Sequence, residues 1–226
     1  MRNKGFFIAV DGCDAAGKSS AMELMKQFFI KERGIKEDNI ILTREPGGTY
    51  VGEEIRSLLL DPDPRKDKMD MKTETMLMFA SRNQLIKELI EPSLKDGKIV
   101  ISDRWESSTY TYQLARGADI KDIDAMSQFV CGDFKPDMMM ILDVSPEKTL
   151  ERIADKRGGA MDRTESNDKN YFKTIRETYL KYAKEKDAIV IDANVNLDDM
   201  LFSIYQKLDE NTLHMKKKEC NISIRP

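Results

Sequence analysis

Histidine is almost missing from this chain: His214, in a polar stretch near the end, is the only one among 226 residues. That scarcity argues against a histidine general base and a histidine-rich metal site. Cysteine is scarce as well. Cys13, Cys131 and Cys220 are odd in number and far apart, which argues against a disulfide framework and suits a reducing compartment. No apolar stretch is long enough to span a bilayer, and the first apolar run stops at Asp11, too soon for a secretory signal. The expectation is a cytoplasmic protein without membrane contact. Excess charge of either sign is also lacking. With a net charge of −3, nothing draws the chain as a whole towards nucleic acid or an anionic surface. Phosphate affinity must therefore come from a local cluster of Arg and Lys. What is left for catalysis is Arg, Lys, Asp and a bound magnesium ion. Phosphoryl transfer is the reaction class that works mainly by positioning and charge stabilisation.

What is present is an ordinary globular balance, 40% apolar and 34% charged. Short apolar runs at 5–10, 39–43, 98–102, 138–143 and 188–191 read as strands. Helical patterns follow at 18–33, 50–60, 73–95, 106–116, 120–131, 146–156, 168–184 and 197–208. Alternation of near-continuously apolar strands with helices predicts an α/β architecture, a parallel sheet covered on both faces. The polar segments 61–72 and 157–168, with two prolines and a Gly-Gly pair respectively, read as loops. Residues 1–210 are expected to form one domain, followed by a polar tail at 211–226.

The most informative stretch is Gly12-Cys13-Asp14-Ala15-Ala16-Gly17-Lys18-Ser19, a G-x-x-x-x-G-K-S sequence directly after the first strand. Backbone N–H groups of such a loop can face a polyphosphate, and the helix N-terminus behind it adds a favourable dipole. Lys18 would reach the terminal phosphates, Ser19 would face magnesium, and Ser20 continues the helix start. A nucleoside triphosphate is the expected ligand. Ligands of open parallel sheets collect at the carboxyl ends of strands. The other strands end in Thr43-Arg44-Glu45-Pro46-Gly47-Gly48-Thr49, in Ser102-Asp103-Arg104, and in Asp143.

Together these residues, with Trp105, Ser108, Tyr112-Gln113 and Asp162-Arg163-x-Glu165, resemble the thymidylate kinases, a family of P-loop nucleoside monophosphate kinases. The resemblance runs from residue 6 to about 194, and Arg44–Thr49 is its most specific element. It implies a three-layer P-loop fold with a five-stranded parallel sheet, transfer of the terminal phosphate of ATP to dTMP with Mg2+, and a homodimer. It implies roles for residues too. Gly12, Cys13, Asp14, Ala15, Ala16, Gly17, Lys18, Ser19, Ser20 and Arg163 would bind ATP, and Ser19 and Asp103 would orient magnesium. Asp14 would meet the acceptor's 3′-hydroxyl, while Arg44 and Arg104 would hold its phosphate beside Ser108. Arg82 and Gln113 would read the pyrimidine, and Tyr112 would crowd the sugar.

Two departures from the family pattern stand out. Ala15 occupies the loop position where one subgroup carries a catalytic Arg, so Arg157, opening a lid at about 153–168, is expected to supply that charge. Met78 stands where the family places a base-stacking Phe, so either Met78 forms the platform or a small shift brings Phe79 in. A kinase for another deoxynucleoside monophosphate, such as dUMP or a modified deoxyuridylate, is the first alternative. A nucleotide-dependent switch is the second, but no Asn-Lys-x-Asp guanine motif occurs.

Overall fold

In the computed structural model, residues 5–60, 69–157 and 169–215 are described. Strand β1 (Phe6–Gly12) leads through a loop into helix α1 (Lys18–Arg33). Then come β2 (Ile40–Arg44), α2 (Tyr50–Leu60), α3 (Met71–Leu85) and α4 (Glu91–Lys95). The chain continues with β3 (Ile99–Asp103), α5 (Glu106–Ala115), α6 (Ile120–Val130), β4 (Met138–Asp143) and α7 (Pro146–Arg157). It closes with α8 (Lys169–Lys186), β5 (Ile189–Asp192) and α9 (Leu197–Asn211).

All five strands pair in parallel, in the order β2-β3-β1-β4-β5. As expected from an apolar run with no polar alternation, every residue of β1 is buried. Its side chains alternate between two cores. Phe6, Ile8 and Val10 face the larger one, built with α1, α8 and α9, whereas Phe7 and Ala9 pack with Leu85, Ile86, Ile90 and Trp105. β1 lies between β3 and β4, so the strand order reverses at its carboxyl end, and a crevice opens there by topology.

One helical span differs from the sequence expectation. The run 73–95 is not a single regular helix: it widens into a π turn at Ile86–Ile90, where Glu91 N–H reaches back to Ile86 O. Pro92 follows within the first turn of α4 and has no N–H to continue the regular ladder. No helix among the described residues is long and apolar enough to cross a membrane.

Candidate active site

The crevice at the end of β1 is an open cleft of about 540 Å³, within the range of small-molecule sites. At its centre, the loop Gly12–Ser19 turns into α1 through Gly17, whose φ of 99° is a left-handed conformation disfavoured for other residues. No side chain caps the first turn of α1 and no acidic residue sits in it, so its amides and dipole remain available to an anion. Lys18 is buried, and its Nζ donates to the carbonyls of Gly12 and Cys13, 3.0 Å each. Burial, and then the neighbouring Arg104, lower its pKa from that of a free lysine; an incoming phosphate would favour the charged form again. Ser19 and Ser20 line the cleft beside it. Cys13 contributes only backbone there: its thiol is in the core, and burial pushes its pKa up to about 12.

Asp11 organises the opposite wall. Its carboxylate accepts from the backbone N–H of Trp105 (3.0 Å) and Ser108 (3.1 Å), from Tyr179 Oη (3.0 Å), and from the Ser107 and Ser108 hydroxyls. A carboxylate at the start of α5 answers the free amides of that helix and ties it to β1. That anchoring presents Arg104, Ser108 and Tyr112 to the cleft. Arg104 pairs with Asp14, donates to Ser108 Oγ at 3.1 Å and lies 5.2 Å from the Tyr112 ring centroid. Burial opposes its charge, but Asp14 and the surrounding groups hold its pKa well above that of free arginine. Tyr112 donates to Asp14 Oδ2 at 3.3 Å. Asp103 also lines the cleft, and its buried Oδ1 has no hydrogen-bond partner.

The far end is a stripe of α3. Glu74, Met78 and Arg82, four residues apart, all line the cleft. Arg82 is held by Glu45, with Nε and Nη2 at 2.8 and 2.6 Å from Oε2, and by Thr109 Oγ1 at 2.9 Å. Its Nη1 is buried without a partner. Behind Met78, Gln113 is fully buried and donates to Glu74 Oε1 at 3.0 Å and to Met78 Sδ at 3.5 Å.

Several expectations are corrected. Phe79 does not reach the cleft: it is 1% exposed, packed in the core with its ring 5.0 Å beneath the Arg82 guanidinium. One residue along a helix rotates a side chain by about 100°, so Met78 and Phe79 cannot share a face, and Met78 takes the wall. Arg44 is turned outward, half exposed and paired with Glu53 at 2.9 Å, because Glu53 also clamps Gly48 N–H and so sits beside the strand end. Arg56 of α2 lines the cleft instead, donating to Pro46 O at 2.9 Å. Asp143 does not line the cleft, and Arg176 binds both its oxygens at 2.6 and 2.8 Å. Gln113 lies behind the wall rather than in it. Arg157 ends α7, but its side chain and Arg163 fall outside the described residues.

Sequence reasoning missed Arg56, Glu74, Arg116, Arg152 and Tyr171, all of which line the cleft. The four-residue spacing to Met78 and Arg82 could have flagged Glu74. Arg152 donates to Ala15 O (3.3 Å) and Ala193 O (2.9 Å), a long-range contact that no local pattern encodes.

Comparison with known proteins agrees with this geometry. The family model for thymidylate kinase matches residues 10–204. A thymidylate kinase of Neisseria meningitidis serogroup B is 42% identical over 207 residues, covering 90% of this chain and 96% of the relative. One from Nitrosospira multiformis is 38% identical over 91% of this chain and 97% of its own. The crystal structure of thymidylate kinase from Ehrlichia chaffeensis superposes with a TM-score of 0.70 at 26% identity, covering 91% of this chain and 97% of that one. With the phosphate loop, the Asp14–Arg104 pair and the α3 wall assembled around one cleft, the chain belongs to the thymidylate kinase family.

Proposed function

We propose that this protein transfers the terminal phosphoryl group of ATP to the phosphate of dTMP, giving ADP and dTDP. One observation carries the reading. The uncapped start of α1, Lys18, Arg104 and Arg56 converge on a single cleft whose other end is the Met78–Arg82 wall. A polyphosphate on the loop and a monophosphate between Arg56 and Arg104 would meet end to end. Orientation of this kind can contribute roughly 7 kcal/mol or more to the barrier reduction. Lys18 would exchange its carbonyl partners for ATP phosphates. Arg104 would bridge the two anions as they approach. Asp14, fixed by Arg104 and Tyr112, would accept the 3′-hydroxyl, and Arg82 Nη1 would donate to the base.

The residues fit a magnesium ion. Ser19, the second residue of α1, lines the cleft at the loop, and the unsatisfied Asp103 Oδ1 is an oxygen ligand of the hard kind that cation prefers. Bound there, the ion would neutralise phosphate charge during transfer. The lid charge would come from Arg157, with Arg152 beside the loop. A homodimer suits the face of α6, where Phe129 is 91% exposed.

Because a thioether rather than a ring forms the wall, a neighbouring deoxypyrimidine monophosphate is the second reading. An acceptor panel with ATP decides between them. The reading expects dTMP to outrank dUMP, dCMP, dGMP and thymidine; thymidine as the best acceptor would overturn it.

A further inference from the structure

Tyr179 of α8 has no part in the reaction described above, yet its hydroxyl lies directly behind the phosphate loop. The side chain is 2% exposed, and Oη is 3.0 Å from Asp11 Oδ1, 3.0 Å from Ser108 Oγ and 3.4 Å from Gly12 O. Burial first, and then Asp11, hold its pKa well above that of free tyrosine, so the proton stays on the oxygen. One proton therefore faces three acceptors, because Ser108 spends its own hydroxyl proton on Asp11. Asp11 can spare a donor. It draws the N–H groups of Gly12, Trp105 and Ser108 and the hydroxyls of Ser107, Ser108 and Tyr179, six donors for about four lone-pair sites. Gly12 O is the acceptor whose supply changes. It accepts from Lys18 Nζ at 3.0 Å, as does Cys13 O. When Lys18 turns to a phosphate, Cys13 O keeps the N–H of Ala16 at 3.2 Å, whereas Gly12 O has the Tyr179 hydroxyl within reach.

We propose that Tyr179 is a positioning residue for the triphosphate: its hydroxyl turns from Asp11 to Gly12 O as Lys18 leaves, keeping the loop carbonyl supplied while the lysine holds the phosphates. This rests on the reading that ATP occupies the loop. The ring can stay where it is, edge-on to Tyr112 with centroids 6.3 Å apart, because rotating the hydroxyl alone redirects the proton. A buried carbonyl that loses a donor costs more than a carboxylate with donors to spare, so the exchange makes Lys18 cheaper to release. The effect belongs to the donor site. Nothing in the exchange moves Ser108 or Arg104, so acceptor binding is left as it was.

Tyr179→Phe tests this, since it removes the hydroxyl and keeps the ring. The measured quantities are Kd for ATP by calorimetry without acceptor, KM for ATP and for dTMP, and the thermal midpoint. The expected result is a rise of roughly fivefold or more in Kd and KM for ATP, with KM for dTMP unchanged. In a Lys18→Met background no lysine leaves Gly12 O, so Tyr179→Phe should change Kd for ATP by less than about twofold. Unchanged ATP binding, an equal rise in both KM values, or the same loss with and without Lys18 overturns the proposal. If Tyr179→Phe does not fold, NMR of the protein carrying 13C at tyrosine Cζ decides. ATP should shift the Tyr179 resonance in the unmodified protein and not in Lys18→Met, and an unshifted resonance in the unmodified protein overturns the proposal. Failure of the unmodified protein to bind ATP at all would instead sink the proposed function, and that shows before any variant is made.

Discussion

Lys18 and Arg104 are cations kept in place before any substrate arrives, one by loop carbonyls and the other by Asp14. Prepositioned charge of this kind needs little reorganisation as the phosphoryl group moves. Arg104→Met or Lys18→Met should therefore lower kcat by about 10²–10³-fold with the fold intact, read by coupled ADP release and circular dichroism. Adjacent residues can have unrelated jobs. Phe79→Ala should cost about 3–5 kcal/mol in urea unfolding while leaving the order of acceptors unchanged, because its ring is core. Met78→Ala should raise KM for the acceptor with a smaller stability loss, because Met78 lines the cleft. Glu53 gives a pH prediction. The Gly48 N–H and then the Arg44 guanidinium hold its pKa below the ordinary 4.5. A depressed carboxylate stabilises the fold above its unfolded pKa, and that contribution disappears as pH falls through the folded value. A carboxyl-carbon NMR titration should find Glu53 ionising below 4.5, with Gly48 amide protection lost in the same window.

At the scale of elements, the turn between β2 and α2 shows how tightly the cleft wall is built. Gly47 N–H donates to Ser81 Oγ at 3.1 Å and Gly48 N–H to Glu53 Oε1 at 2.8 Å, which ties the turn to both α3 and α2. Gly48 has a φ of +78°, and a Cβ there would lie 2.2 Å from Thr43 Oγ1 and 2.7 Å from Leu85 Cδ1. Gly48→Ala should destabilise the protein by about 2 kcal/mol or more in chemical denaturation, and raise KM for the acceptor by displacing Pro46 and Arg56. Element boundaries were largely legible in the sequence. The helices expected at 18–33 and 50–60 appear as Lys18–Arg33 and Tyr50–Leu60 because strand, glycine turn and helix start carry strong local signals. The π turn at Ile86–Ile90 was not legible, since a Pro in a helical pattern marks a break without stating how the backbone accommodates it.

For the whole molecule, the cleft exists because β1 is central and the strand order reverses around it. Ligands that bind this assembled site and not the unfolded chain must stabilise it. At about 100 times its Kd, dTMP should add roughly 2.7 kcal/mol, a rise of about 5–10 °C in Tm for a protein of this size. Differential scanning fluorimetry should show that shift reduced in Arg104→Met, whereas an equal shift would remove Arg104 from the acceptor site. The sequence alone determined the architecture, the phosphate loop and the family, because each rests on short-range spacing: an apolar strand, two glycines five residues apart, a lysine and a serine. Tertiary structure alone decided which side chains face the cleft. Arg44 went to Glu53, Asp143 to Arg176 and Phe79 to the core, while Arg56 and Glu74 took places in the wall. The physical reason is that a side chain's partner is chosen by neighbours brought close in folding, such as Arg176, 33 positions from Asp143, or Gln113, 39 from Glu74.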